Sequence, residues 1–326
     1  MIFPRPAPSS PTPWRALLAL AVVGLVLWKL LPVGMERHIT AQLLWAGLAI
    51  QPIALAGLVV HGARLGILAG LPLTRPGRPL AALLLSQGLN LLLPGRVAEL
   101  FKASYLHTHA NVPVSRGLAA IFLERSVDLL IVAGLSLAGL TLFATGAPLW
   151  SYLAAGSLLL LLALAPLLEE KLARLVARLP WPVAANFLER FCRHVSSIVR
   201  ERAFLSALVL GVITWFFSLL NVYLFIQLAG SHPVDATGVL AVFVATTIGG
   251  AIPGLPGGFG AYEAGAIVAL QPYGYEVGEA LALGLAMHLA QFVIPLIGCG
   301  FILASERIGL TQLIDRCRNE IPRRKK

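Results

Sequence analysis

Charged residues are scarce in this sequence: they make up 12% of its 326 residues, about half the share found in an ordinary soluble domain. Hydrophobic residues make up 58%, and apolar runs recur from Ala16 to Phe301. No stretch between these runs is long enough to build a separate soluble core. The composition therefore predicts one all-α integral membrane domain and no soluble catalytic domain.

Cysteine is scarce as well. Cys192, Cys299 and Cys317 lie far apart, without a metal-binding spacing or a disulfide framework, so we expect neither a metal ion nor another cofactor. The net charge is +10, but the basic residues cluster at the ends of apolar runs and in the tail. Membrane orientation explains this distribution better than nucleic-acid binding does. Nucleotide-binding loops, zinc-protease signatures and nucleophile elbows are missing, which favours a non-catalytic protein.

Six apolar stretches have about the 20 residues that a helix needs to cross a bilayer. They are residues 15–33, 41–61, 117–145, 149–168, 204–229 and 279–305. Two further stretches are broken by proline and glycine into arms of 80–93 with 97–110, and of 238–252 with 261–270. Each arm is too short to cross, so each pair predicts a re-entrant helical hairpin.

Positive charge predicts the orientation, because loops rich in Lys and Arg stay in the cytoplasm. Arg64, Arg75 and Arg78 precede the first broken stretch, whereas the loop 231–237 before the second has no Lys or Arg. Both termini are then cytoplasmic, and the two hairpins enter from opposite sides. Residues 41–145 and 204–305 form an inverted repeat, a pattern typical of transporters whose broken helices form the substrate site.

The remaining segments are polar. Residues 1–14 are rich in Pro and Ser, which predicts disorder, and the first apolar run is expected to be retained as a span. Residues 169–203 alternate charged and apolar side chains, which fits an amphipathic helix on the cytoplasmic leaflet or an ordinary solvated connector. Residues 15–305 form the membrane domain, and residues 306–326 form a basic cytoplasmic tail.

Charges within the apolar segments mark a candidate site, since each costs roughly 2.5–3.5 kcal/mol to insert. Two groups belong to the predicted first half of the repeat, and a third follows the second break. The candidate substrate-binding residues are Asn90, Pro94, Gly95, Arg96, Glu99, Lys102, Glu124, Arg125, Asp128, Pro256, Gly257, Gly258, Gly260, Tyr262 and Glu263.

Each break is expected to restart as a helix, and a helix N-terminus favours phosphate because its amides are free. Arg96 at the first restart adds a fork of donors suited to phosphate oxygens. Glu124 and Asp128 share a helix face with Arg125, either as a structural ion cluster or in contact with substrate. A spare carboxylate has two possible roles, binding a cationic substituent of the lipid or carrying a coupling proton, and the residues favour neither.

The three motifs that contain Pro94-Gly95-Arg96, Glu124-Arg125 and Pro256-Gly257-Gly258 resemble the lysylphosphatidylglycerol synthase transmembrane family. The resemblance covers about residues 41–305. It implies translocation of a lipid between leaflets and, in some members, association as homodimers. The two-domain members continue into an aminoacyltransferase domain, which this chain is not expected to carry.

The predicted function is therefore a flippase of the bacterial inner membrane for a lipid with an anionic, phosphate- or polyprenyl-phosphate-linked head group. Two alternatives stay open: a membrane-embedded transferase on a lipid-linked substrate, with Glu124 and Asp128 as its acid and base, and a non-transporting scaffold for lipid-modifying enzymes. The expected partners are the lipid itself, a second copy of the chain and a lipid-modifying enzyme, with no nucleic acid.

Overall fold

A computed structural model describes residues 40–91, 98–143, 182–251 and 256–305. All regular secondary structure in these ranges is helical, and turns and short loops join the helices. The helices are α1 (Ala41–Ala49), α2 (Gln51–Leu68), α3 (Gly77–Asn90), α4 (Ala98–Ala110), α5 (Val114–Phe143), α6 (Pro182–Arg200), α7 (Arg202–Ala229), α8 (Ala236–Ala251), α9 (Ala261–Leu270) and α10 (Val277–Ser305). Short 3-10 turns occupy Pro256–Gly258 and Gln271–Tyr273.

Three of these helical segments are apolar and long enough to cross a membrane. They are Ala41–Leu68, which joins α1 and α2 across a bend at Ile50, together with α7 and α10. At about 1.5 Å per residue, 28 residues reach roughly 42 Å, more than the ~30 Å hydrocarbon core. These helices support a multi-pass membrane protein. The spans predicted at 15–33 and 149–168 lie outside the described residues.

Helices α8 and α9 form an antiparallel pair across the second break. Gly249 lies directly against the backbone of Ala261, and Gly265 lies against the backbone of Ala245, so residue numbers rise on one helix as they fall on the other. Helix α9 has 10 residues, or about 15 Å, and is too short to cross a bilayer. Helices α3 and α4 pack against each other on either side of the first break.

Helices α2 and α7 form the central contact of the described structure and run antiparallel. Gly57 on α2 lies against Phe217, whereas Arg64, further along α2, lies against Gly211, which comes earlier on α7. Around this pair, α3 packs on α10 and α5 packs on α8. One apolar core lies among α1, α7, α8, α9 and α10, and another among α2 to α6.

Helix α6 covers the second part of the predicted linker and begins at Pro182, whose fixed φ suits a first helical turn. Its apolar face buries Val195 and Ile198 against the core around α2 and α5. Phe191 meets Phe122 of α5 edge to face, with ring centroids 5.8 Å apart. The packed face agrees with an amphipathic helix over residues 182–200.

The loop before α8 is fixed by Asp235. Its Oδ1 accepts hydrogen bonds from the Gly238 amide at 2.7 Å and the Tyr273 hydroxyl at 3.0 Å. The Gly238 amide stabilises the carboxylate and holds the pKa of Asp235 below its ordinary value. This contact satisfies a free amide at the start of α8 and ties that helix to the turn after α9.

Candidate functional site

The five charged residues predicted on α4 and α5 meet in one cluster. Arg125 Nη2 lies 2.6 Å from Glu99 Oε1 and 3.2 Å from Glu124 Oε1. Lys102 Nζ lies 2.9 Å from Glu99 Oε2 and 3.0 Å from Glu124 Oε1. Arg125 Nη1 reaches Asp128 Oδ2 at 3.4 Å. The spacing of three and four residues on each helix directs these side chains to the same face.

Helices α2 and α7 complete the cluster with three residues that lie outside the predicted set of site residues. Arg64 Nη2 lies 2.7 Å from Asp128 Oδ1, and the Trp215 indole donates to the same oxygen at 2.9 Å. His61 Nε2 lies 3.2 Å from Glu124 Oε1. His61 and Arg64 are three residues apart in an apolar run, and this spacing was the available signal.

The buried position of Arg64 corrects one expectation from the sequence. The sequence predicts that the span ends at residue 61 and that Arg64 lies in a cytoplasmic loop. Helix α2 continues to Leu68 instead, and Arg64 is fully buried. The position is tolerated because Asp128 supplies the opposite charge. Arg64 therefore belongs to the buried site and does not contribute to the positive charge of the loop.

The cluster is balanced in formal charge and unevenly exposed. Its described members carry three carboxylates, Glu99, Glu124 and Asp128, against Arg64, Lys102 and Arg125. The side chains of Lys102, Glu124 and Arg64 are fully buried, whereas the Arg125 side chain is 37% exposed. Arg125 is thus the cation of this network that an incoming anion can reach.

The second break depends on glycine. Gly257, Gly258 and Gly260 have φ values of 69°, 81° and 85°, in the region that residues with a Cβ rarely adopt. Gly258 also lies against the backbone of Gly250, where a Cβ would approach within 2.9 Å of a carbonyl oxygen. The Gly260 amide donates to Glu263 Oε2 at 2.6 Å, which caps the start of α9.

Glu263 faces a histidine on α10. Glu263 Oε1 and His288 Nδ1 are 2.8 Å apart, and both side chains are buried. The Tyr262 ring stacks on the imidazole with centroids 3.9 Å apart, and the Gln291 amide donates to the Tyr262 hydroxyl at 2.7 Å. His288 and Gln291 lie outside the predicted set of site residues, although their spacing on one helix face was the signal for them.

The end of α3 lies against the second break. Leu91 is the last described residue before the first break, and a Cβ at Gly257 would come within 3.2 Å of its Cδ1 atom. Asn90, half-buried at the end of α3, is close in sequence to this contact. Pro94, Gly95 and Arg96 lie outside the described residues. Pro256 occupies the 3-10 turn of the second break.

Apolar helices of spanning length around a buried network of ionised side chains define a multi-pass membrane protein with a polar site in its interior. The model of the family described as the lysylphosphatidylglycerol synthase TM region matches residues 14–299. The chain belongs to this family, so the resemblance carried by its three motifs is confirmed. Comparisons with curated proteins and with solved structures return no match.

Proposed function

We propose that this protein moves a lipid with an anionic head group between the leaflets of the bacterial inner membrane. The head group would enter a polar site between the two proposed halves, while the acyl or isoprenoid tails stay in the lipid. In this proposal α3–α4 and α8–α9 are re-entrant hairpins inserted from opposite sides. The chain then has six spans and two cytoplasmic termini. Membership of a family concerned with lipids supports the substrate class.

The observation that carries the proposal is a correspondence in helix packing. The helices of the two proposed halves correspond in order: α2 to α7, α3 to α8, α4 to α9 and α5 to α10. Under this correspondence the contact of α2 with α7 joins two equivalent helices and is unchanged when the halves are exchanged. The contact of α3 with α10 maps onto that of α8 with α5, and the contact of α4 with α5 maps onto that of α9 with α10. This pattern supports two structurally related halves.

The direction of the central helices supports inversion of these halves. The corresponding helices α2 and α7 run antiparallel, as expected for repeats related by an axis in the membrane plane. Inverted repeats exchange an inward-open state for an outward-open one when one half rocks against the other. In this proposal each half contributes one wall of the same site, and the contact of Leu91 at the end of α3 with Gly257 of the second break supports this arrangement.

The chemistry of the site fits an anionic head group. Arg125 is partly exposed and presents a planar guanidinium that matches phosphate geometry. Glu99, Glu124 and Asp128 hold this side chain in place, and Lys102 and Arg64 neutralise them. The opposite partner of each charge offsets part of the cost of burying this network, and an anion would compete with the carboxylates for Arg125.

Native mass spectrometry of the detergent-purified protein, followed by identification of the retained lipid, tests the proposal. We expect an anionic lipid enriched over its share in the membrane. Arg125→Gln should reduce its retention, whereas Arg193→Gln, on the exposed α6 pair with Glu189, should preserve it. Bulk lipid in bulk proportions for every variant would contradict the proposal and favour a scaffold.

A transferase is distinguished by its product. If the protein were an enzyme acting on a lipid-linked substrate, incubation with lipid extract would change the mass of a lipid species. We expect every lipid mass to stay unchanged during incubation with the pure protein. A new lipid mass that disappears in Glu124→Gln would replace the transport proposal with the transferase.

A further inference from the structure

Glu263 and His288 form a buried acid–base pair that the binding of an anion does not require. Their side chains are 5% and 4% exposed, and the interacting atoms are 2.8 Å apart. Glu263 lies on α9, three residues after the glycine that ends the second break, and His288 lies in the middle of α10. The pair therefore links the break to a long apolar helix.

The corresponding pair in the first half has a different cation. Glu99 lies on the helix after the first break, and it contacts Arg125 on the following long helix at 2.6 Å. Arginine keeps its proton at every physiological pH, whereas the charge of histidine changes between about pH 5 and 8. Of these two corresponding pairs, Glu263 with His288 is the one whose cation can release a proton. The first half also holds a histidine, His61, but its partner is Glu124 and it lies outside the corresponding pair.

The surroundings of His288 are aromatic. Tyr262, Phe259 and Phe292 have ring centroids 3.9, 4.7 and 5.3 Å from the imidazole. Helices α1 and α8 contain no titratable residue. Within the described residues, the other titratable or charged groups on the helices packed against α9 and α10 are Tyr262 in the stack, His61 and Arg64 in the first cluster, and Arg78, Arg202, Tyr223, Tyr273, Glu279 and Cys299.

We propose that Glu263 and His288 bind one proton, and that this proton crosses the membrane with the anionic head group. The inference rests on the proposed transport function and adds its energy source. Without the proton the pair has a charge of −1, and with it the charge is zero. Because the described first cluster is balanced, an incoming anion meets an unfavourable negative charge at the second break until the proton binds.

The geometry links this proton to the shape of the break. One oxygen of Glu263 accepts the Gly260 amide at 2.6 Å, and the other oxygen contacts His288. When the imidazolium loses its charge, the contact of Glu263 with His288 weakens and the contact of Glu263 with the Gly260 amide remains. This change favours movement of α10 relative to α9. The proton is taken up from the water on the side where the lipid enters and is released on the opposite side.

The first experiment observes the proton site without lipid transport. Solid-state magnetic resonance of the reconstituted protein with isotope-labelled histidine, recorded from about pH 5 to 8, should contain a resonance that changes when the proton binds and that disappears in His288→Gln. His232→Gln is the matched control, because His232 lies 3.7 Å from Glu279 but its side chain is 41% exposed. A His288 resonance that stays constant over this range would overturn the inference.

The second experiment measures coupling in vesicles. With one proton per monoanionic lipid, a gradient of one pH unit should drive a leaflet ratio of about ten to one, independent of membrane potential. Glu263→Gln, which keeps the cap on Gly260, and His288→Gln should abolish this accumulation, whereas His232→Gln should retain it.

Different results would contradict the proposed lipid transport and the proposed proton coupling. Lipid movement at an equal rate with and without the gradient, unchanged in His288→Gln, would overturn the proton inference and support the transport function. A titrating His288 resonance without lipid movement under any gradient would overturn the transport function and, with it, the coupling.

Discussion

At the scale of residues, Asp128 is the acceptor that joins α2, α5 and α7 in the buried network. One of its oxygens lies 2.7 Å from Arg64 and 2.9 Å from the Trp215 indole nitrogen, while the other reaches Arg125 at 3.4 Å. Arg64 is fully buried, and among the described residues its Nε and Nη1 atoms have no hydrogen-bond acceptor. The charge of Arg64 is therefore neutralised chiefly by this one carboxylate.

Asp128→Asn should destabilise the folded protein by about 3–5 kcal/mol, because it leaves Arg64 buried without an opposite charge. Thermal unfolding of the purified protein in detergent measures the loss. The double variant Arg64→Met with Asp128→Asn should recover much of the stability, since no unpaired cation remains.

The exposed pair of Glu189 with Arg193 is the control for this prediction. Glu189→Gln should change stability by no more than about 1 kcal/mol, because solvent screens the pair. Equal losses for Asp128→Asn and Glu189→Gln, or no recovery in the double variant, would show that Asp128 does not act by neutralising Arg64.

Most of the charged cluster could be predicted at this scale. Glu99, Lys102, Glu124, Arg125 and Asp128 stand out because each interrupts an apolar run at helical spacing. Arg64 could not be predicted, since in sequence it resembles the basic loop that follows it. Its burial depends on a partner on another helix, and its spacing of three residues from His61 is too weak a local signal to reveal that tertiary contact.

At the scale of elements, the second hairpin depends on close contact between backbones. Gly249 and Gly265 each lie against the backbone of the opposite helix, at points where a Cβ would overlap a carbonyl oxygen. Backbone atoms cannot rotate away as a side chain can, so a larger residue at either position must separate α8 from α9.

Gly249→Ala should therefore destabilise the protein by about 1–3 kcal/mol, although alanine favours helices. Gly300→Ala on α10 is the matched control, because nothing lies within 4 Å of the Cβ it would add, and it should be neutral or slightly stabilising. Thermal midpoints of the two variants measure the difference. A neutral Gly249→Ala would contradict the tight packing of α8 on α9.

The sequence predicts these elements closely where proline and glycine interrupt an apolar run. The arm predicted at 261–270 coincides with α9, and the arm at 238–252 differs from α8 by one or two residues at each end. The contact between the end of α3 and the second break was not predictable in detail. It depends on how Leu91 and Gly257 meet across more than 160 residues of sequence.

At the scale of the whole molecule, orientation follows from the charges of the loops. After Arg64 is assigned to α2, Arg75 in the loop before α3 and Arg78 in the first turn of α3 remain at this end, and the loop before α8 has neither Lys nor Arg. The proposed topology therefore places these two loops on opposite sides of the membrane.

Cysteine labelling in intact cells measures this topology. Thr74 and Ser231 are exposed residues of the two loops, and each can be changed to cysteine in a background without Cys192, Cys299 and Cys317. We expect an impermeant maleimide to label Ser231→Cys in intact cells and Thr74→Cys only after permeabilisation. Labelling of both from the same side would contradict the inverted arrangement.

The family and the helical class of the molecule could be predicted from its sequence motifs and apolar runs, and both are confirmed. The order of spans and breaks predicts the proposed inverted repeat, but the sequence does not show which residues correspond, because they differ: Arg125 in one proposed half and His288 in the other.

A leaflet-exchange assay measures the proposed movement of a lipid between leaflets. Vesicles containing the purified protein and a fluorescent anionic lipid are exposed to an impermeant reductant that destroys only the outer-leaflet label. We predict that the wild type makes the inner-leaflet label accessible and that Arg125→Gln does not, while Arg193→Gln behaves as the wild type. The transport proposal is contradicted if the inner-leaflet label stays as protected as in protein-free vesicles. This result must hold with folded protein and with every anionic head group tested.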